Sequence, residues 1–203
     1  MSKIEFDSDL HIYTIAGMEY ASVSTILRDV MNLWFPKGAK SKMHRGTRVH
    51  KLTERCDKGE IIQAEDFLFE DQDLTPFLNA WCEFRKFFGG TIDQIEFRVS
   101  SCTHRYAGTI DRIIRFPSGR IVVVEIKTGK PAPWHKLQTA GYATGYKEDG
   151  HAMGVPLEKI ERVAVYLNED GSFVLRDHSN PADLSAWNAV TFLYHWKRIK
   201  DAA

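Results

Sequence analysis

The chain has 203 residues, 43% of them hydrophobic, with 27 basic and 27 acidic side chains and a pI near 7.1. That length and apolar content support one domain with a real core. The even balance argues against an overall basic nucleic-acid binder, and no apolar run approaches the roughly 20 residues of a membrane span.

In chain order, residues 11–15 and 18–23 around Ala16-Gly17 read as a hairpin, and Ser22 or Ser24 caps a short helix running to Val30. Trp34-Phe35-Pro36-Lys37-Gly38 reads as a loop. A helix is predicted over 40–58, ending at Gly59, and a second, rich in aromatics, over 74–88, stopped by Gly89-Gly90. Strands follow over 92–99, 105–116 and 120–127, the last two joined by Pro117-Ser118-Gly119 as a hairpin. Lys130-Pro131-Ala132-Pro133 breaks the chain before a helix over 134–146. Strands over 160–167 and 172–176 flank the turn Asn168-Glu169-Asp170-Gly171, and a closing helix runs from Pro181 to Lys200 with Asn180 or Ser179 as its cap. The order implies a mixed α/β domain with one central sheet.

Charge is unevenly distributed. From Lys37 to Thr53 the charged residues are Lys37, Lys40, Lys42, Arg45, Arg48 and Lys51, with no acid among them, and an acidic run from Asp57 to Asp73 follows. The segregation suggests a basic stripe facing a polyanion and an acidic face turned away. Cys56, Cys82 and Cys102 are odd in number and widely spaced, with no C-x-x-C. They read as reduced thiols rather than a disulfide framework or a zinc site. Residues 1–7 lack the apolar core of a signal peptide, so a cytoplasmic location is expected.

The chemistry concentrates in Gly108-Thr109-Ile110-Asp111 and in Ile121-Val122-Val123-Val124-Glu125-Ile126-Lys127-Thr128-Gly129. The apolar run 121–124 is a buried strand, and alternation sends Glu125 and Lys127 to one face and Ile126 to the other. Charges at the end of a buried strand are costly to desolvate. Asp111 ends a strand that hairpins into this one, and neighbouring strands lie about 4.8 Å apart, so the two carboxylates are close enough to share a divalent ion. Gly108 admits a close approach to the backbone. Gln138 and Tyr142, four residues apart, share one helix face. A bland alternative stands beside each: a surface ion pair for Glu125 and Lys127, a core histidine for His50, a surface residue for Glu96, and simple core for Tyr142.

Taken together, Gly46-x-x-x-His50, Glu96, Gly108-x-x-Asp111, Glu125-x-Lys127-Thr128-Gly129 and Gln138-x-x-x-Tyr142 resemble the PD-(D/E)XK nuclease superfamily, and within it the RecB-like branch of phage, RecE-type and mitochondrial single-strand exonucleases. The resemblance spans roughly residues 40–200. It implies a restriction-endonuclease-like α/β core, a central mixed β-sheet flanked by helices, with residues 1–39 as an N-terminal hairpin and extension of a single domain, 1–203. It implies Asp111 and Glu125 as metal ligands together with the Ile126 carbonyl, His50 as a further ligand, and Glu96 acting on the metal through water. Lys127 would orient or activate the attacking water, with Gln138 and Tyr142 supporting the site.

The implied cofactor is Mg²⁺ or Mn²⁺, with hard carboxylate oxygens selecting these ions and an imidazole tilting the choice toward Mn²⁺. The Fe–S members carry four flanking cysteines; this chain has three, differently placed, so no cluster is expected. The implied substrate is DNA, single-stranded or with free ends. Arg45, Arg48, Lys51 and Lys136 are candidates for backbone contacts and Trp134 for base stacking, while Tyr106 is favoured as core. No G-x-x-x-x-G-K-[ST] occurs, so any helicase or recombination partner is a separate protein, and an oligomer is compatible with the sequence. The expected activity is a metal-dependent DNA exonuclease in phage or bacterial recombination or repair. A structure-specific endonuclease with the same site, and a catalytically silent nucleic-acid-binding protein on the same fold, stand as alternatives.

Overall fold

The computed structural model describes residues 3–7, 12–33, 39–69 and 72–201. Strands β1 (Ile4–Asp7), β2 (Ile12–Ile15) and β3 (Met18–Ser22) precede helices α1 (Val23–Val30) and α2 (Ala39–Asp57). A 3₁₀ turn (Ala64–Phe67) and the short strands β4 (Leu68–Phe69) and β5 (Gln72–Asp73) lead to α3 (Thr75–Phe88). Then come β6 (Thr91–Ser101), β7 (Tyr106–Arg115), β8 (Ile121–Lys127), α4 (Trp134–Glu148), β9 (Glu161–Leu167), β10 (Phe173–Asp177) and α5 (Pro181–Asp201). The expected strands and helices are all present within a few residues of the bounds read from the sequence. The proposed loop at 34–38 and His11 of the first hairpin lie outside the described residues.

The local reasons are those of the sequence. Ser22 caps α1, its Oγ accepting from the Thr25 N–H at 2.9 Å. Pro76 sits in the first turn of α3, where its missing N–H costs nothing, and Gly89 closes that helix at φ 71°. Asn180 opens α5, its Oδ1 accepting from Ala182 N–H at 3.0 Å.

Eight strands form one mixed sheet along β1-β2-β3-β7-β8-β9-β10, with β6 paired to β7 on its other edge. β7 and β8 form the expected hairpin, β6 is antiparallel to β7, and β8 and β9 are parallel, linked by the crossover helix α4. The N-terminal strands are more than an appended hairpin. A third strand, β1, extends the hairpin, and β3 joins the central sheet in parallel with β7, Ala21 opposite Tyr106. That parallel pairing spans so much chain that nothing in the local pattern reveals it.

The sheet is covered on both sides, which is why β8 reads as a continuous apolar run. Val122, Val124 and Ile126 pack with Val49, Leu52, Phe77, Trp81 and Phe84 of α2 and α3. Ile121 and Val123 pack with Ile26, Leu27, Ala140, Ala143 and Trp187 of α1, α4 and α5. Each fully buried aliphatic or aromatic side chain of this kind contributes about 1.5–3 kcal/mol. Tyr106 is buried as favoured, its hydroxyl donating to the Gly141 carbonyl at 2.8 Å.

Candidate metal centre and its cleft

One edge of β7 is shared by two strands. β8 pairs with its second half, from Arg112 opposite Val124 to Arg115 opposite Ile121, and β3 pairs with Tyr106 and Ala107. Between them the edge is open at residues 108–111, and a cleft of about 490 Å³ lies there. Asp111 replaces the missing ladder: its Oδ2 accepts the Ile126 N–H at 2.6 Å, bridging the strands where they part.

His50, Glu96 and Asp111 converge in this cleft. Among the described residues they are the group whose ligand atoms lie within 4.8 Å of one another, as a metal site requires. Val49 and Leu52 bury one side of α2 and so aim His50 at Asp111, which lies in the middle of β7 rather than at a strand end as expected. His50 Nε2 donates to the Ile126 carbonyl at 3.1 Å, and Nδ1 lies 3.2 Å from Asp111 Oδ1. The Ile126 carbonyl therefore faces the imidazole. Glu96 lies across from Asp111 on β6 with φ 47°, a left-handed conformation that costs a non-glycine residue about 1 kcal/mol or more.

Glu125 stands beside this trio rather than within it. Its Oε1 accepts from Lys127 Nζ at 2.6 Å and from Gln138 Nε2 at 2.9 Å. Gln138 also takes a bond from Lys127 through its Oε1 at 3.0 Å and gives one to the Tyr142 hydroxyl at 2.9 Å. The expected helix face of Gln138 and Tyr142 thus closes over the Glu125–Lys127 strand end. The Tyr142 ring is the group that needs Gly108: a Cβ there would fall 2.6 Å from its Cε1.

The charges explain one another. Burial opposes a charge on His50, but Asp111, Glu96 and Glu125 outweigh it and push its pKa up to about 9. Burial and then repulsion from Asp111 raise Glu96 to about 7 and Glu125 to about 7, against the pull of nearby cations. Burial also works against ionising Asp111, yet His50, Lys127 and the Ile126 N–H hold its carboxyl below the ordinary value. Near neutral pH Glu96 and Glu125 therefore hold protons part of the time, while Asp111 stays ionised. Glu125 Oε2 is buried without a hydrogen-bond partner, the kind of orphaned anionic oxygen that a cation satisfies. On this orphan and on the hard donor set, the residues present fit a divalent ion.

Sequence reasoning missed the group that holds the cleft together. Arg112 is fully buried beneath it. Its Nε donates to Asp57 Oδ2 at 2.6 Å, Nη1 to the Asp111 carbonyl at 2.6 Å and to Glu96 Oε1 at 3.2 Å, and Nη2 to Thr53 Oγ1 at 3.1 Å. Trp81 Nε1 caps the other Asp57 oxygen at 3.0 Å. The guanidinium thus ties α2, which carries His50, to the strands that carry Asp111 and Glu96. The available signal was an arginine next to Asp111 in a strand otherwise made of isoleucine from Ile110 to Ile114, a position that demands partners.

The candidate DNA-contact residues do not gather. Arg45 is held by Glu169, by the Thr128 carbonyl at 3.2 Å and over the Phe77 ring at 5.1 Å. Arg48 donates to the Asp66 carbonyl at 3.3 Å, and Arg55 pairs with Asp66 at 2.7 Å. The acidic run therefore folds back onto the basic helix at this point instead of turning away, because the 3₁₀ turn packs beside α2; Glu70 and Asp71 lie outside the described residues. Lys51 and Lys136 are exposed. Trp134 is half-buried against the core, with Lys127 Nζ 5.6 Å from its ring.

Among the described residues no helix is long and apolar enough to cross a membrane. No curated protein matches the sequence. Among solved structures, a protein from Eubacterium rectale presumed to be an exonuclease aligns with TM-score 0.51 at 10% identity, over 91% of this chain and 76% of that one. SSO0001 aligns with TM-score 0.39 at 15% identity, over 86% of this chain and 83% of that one. The first likeness is one of fold. The family profile of the PD-(D/E)XK nuclease superfamily matches residues 26–199, a span that runs from within α1 almost to the end of α5. With most of its length accounted for in this way, and with the mixed α/β sheet such a core requires, the chain belongs to the PD-(D/E)XK nuclease superfamily.

Proposed function

We propose that the protein is a divalent-metal-dependent DNA exonuclease of the RecB-like branch, a single domain over 1–203, working in the cytoplasm in phage or bacterial recombination or repair, with any motor or recombination partner supplied by another chain. The observation that carries the reading is the convergence of His50, Glu96 and Asp111 in one cleft beside Glu125, Lys127 and Gln138. The presumed activity of the Eubacterium rectale protein supports the choice of exonuclease.

In this reading His50, Glu96 and Asp111, with Glu125 and the Ile126 carbonyl beside them, would hold Mg²⁺ or Mn²⁺. When bound, the ion lowers the pKa of water and offsets the charge that develops on the phosphate. Lys127 positions the attacking water and donates charge-assisted hydrogen bonds toward the phosphate. Gln138 fixes Lys127 and Glu125 in register from above, and Tyr142 holds Gln138. Arg48, Lys51 and Lys136 lie outside the cleft and serve as backbone contacts without sequence preference. Arg45, already engaged with Glu169 and Thr128, has a smaller part in that role.

The test is incubation with end-labelled linear and closed-circular single-stranded DNA under Mn²⁺, Mg²⁺ and EDTA, beside Lys127→Ala. The expected result is metal-dependent loss of linear DNA alone, with activity in the variant down by about 10²–10³. Cleavage of the circle would make the enzyme an endonuclease. Full activity in a folded Lys127→Ala would remove the proposed site.

A further inference from the structure

A second recess, of about 980 Å³, lies where β8 runs out into the loop after Lys127. It is lined by Lys42 and Arg45 from the first turns of α2, by Lys130 in the loop, and by Arg176 on β10, with Glu169 and Asp170 as its acids. Those acids are already engaged. Glu169 pairs with Arg45, and Asp170 Oδ1 accepts from the Ser172 N–H at 2.9 Å and hydroxyl at 2.6 Å. Lys42, Lys130 and Arg176 are exposed, and among the described residues none of them is held in an ion pair. Three cations from three different elements thus line one hollow, with Val174, Leu167 and Pro131 as its apolar floor.

The recess is built on α2 and the end of β8, the elements that also carry His50 and Glu125 of the cleft. Thr128, its first loop residue, follows Lys127 directly, and Lys42 precedes His50 on the same helix by eight residues, about 12 Å along the axis. Resting on the nuclease reading, we propose that this recess is the strand-binding track of the enzyme: Lys42, Lys130 and Arg176 hold successive phosphates of a single nucleic-acid strand whose end lies at Asp111 and Glu125. Separated cations fit a repeating polyanion better than one compact phosphate, which they would have to converge upon. Apolar surface between them suits sugars and unpaired bases.

The test separates this track from the chemistry. Binding of a fluorescein-labelled twelve-nucleotide oligothymidylate is followed by anisotropy in EDTA across a salt series, for wild type and for Lys42→Ala/Lys130→Ala/Arg176→Ala. The three replaced side chains are exposed, so folding is retained, and circular dichroism verifies it. The expected result is at least a roughly tenfold weakening at low salt and a salt slope shallower by about 2, three contacts at about 0.7 each. The variant Lys42→Arg/Lys130→Arg binds like wild type, and a blunt duplex of the same length loses much less affinity than the single strand. Hydrolysis of bis(p-nitrophenyl) phosphate with Mn²⁺ is unchanged in the triple variant. An unchanged salt slope, or equal losses for duplex and single strand, overturns the proposal whether or not the protein is a nuclease. A wild type that binds the strand through these cations yet hydrolyses nothing overturns the nuclease reading and leaves the track standing.

Discussion

Replacing Arg112 with methionine keeps the volume of the side chain and deletes its charge. Asp57 is then a nearly buried carboxylate with only the Trp81 indole N–H as partner, and breaking a buried pair in this way costs about 3–5 kcal/mol. The Asp111 carbonyl and Thr53 hydroxyl lose one bond each, about 1 kcal/mol apiece. The Glu96 contact adds little, because that carboxylate is partly exposed and the pair is longer. The expected total is about 5–7 kcal/mol, a large share of the 5–15 kcal/mol that holds a typical domain together. Urea denaturation at pH 7 measures it, as a lower midpoint with an unchanged slope. The double variant Arg112→Met/Asp57→Leu removes both charges, so it recovers most of the loss. A single variant that costs under about 1 kcal/mol, or a double variant as unstable as the single, would refute the reasoning that this pair matters through its burial.

Gly108→Ala puts a methyl group 2.6 Å from the Tyr142 ring and costs about 1–3 kcal/mol, and the added change Tyr142→Val relieves it; additive losses in thermal denaturation of the two variants would speak against that contact. The pH dependence of metal binding follows from the protons the cleft retains. With His50 raised to about 9 and Glu96 and Glu125 to about 7, these groups carry protons near neutral pH that an ion must displace. Mn²⁺ affinity therefore rises as pH climbs from 6 to 9, and titration calorimetry in buffers of different ionisation enthalpy detects the proton release. Affinity independent of pH across that window would contradict the charge assignments.

How far the sequence could be read depended on the distance over which each feature is encoded. Glu125 and Lys127 are two residues apart on a strand, and Gln138 and Tyr142 four apart on a helix, so periodicity alone put each pair on one face. The fold class followed from the order of such segments. The Arg112 network was hidden because its partner Asp57 sits 55 positions away, and a lone arginine does not say where its carboxylate lies. The left-handed backbone of Glu96 was hidden too, since glutamate carries no signal for positive φ. The partners of Arg45 and Arg48 were hidden as well. A run of like charge is visible at once, while the Glu169 and Asp66 groups that meet those side chains arrive from elsewhere in the chain.

The joining of β3 to β7 has a kinetic consequence. Ala21 faces Tyr106, so 85 residues separate a strand from its parallel neighbour. At 5–20 residues per second, a ribosome takes about 4 to 17 s to deliver the second after the first. Throughout that interval β1, β2 and β3 form a ribbon whose β3 edge lacks its partner, a state too small to be stable alone and prone to pairing with other chains. The open stretch of β7 that shapes the cleft is thus bounded on the β3 side only after that delay, when a strand made early finds one made much later.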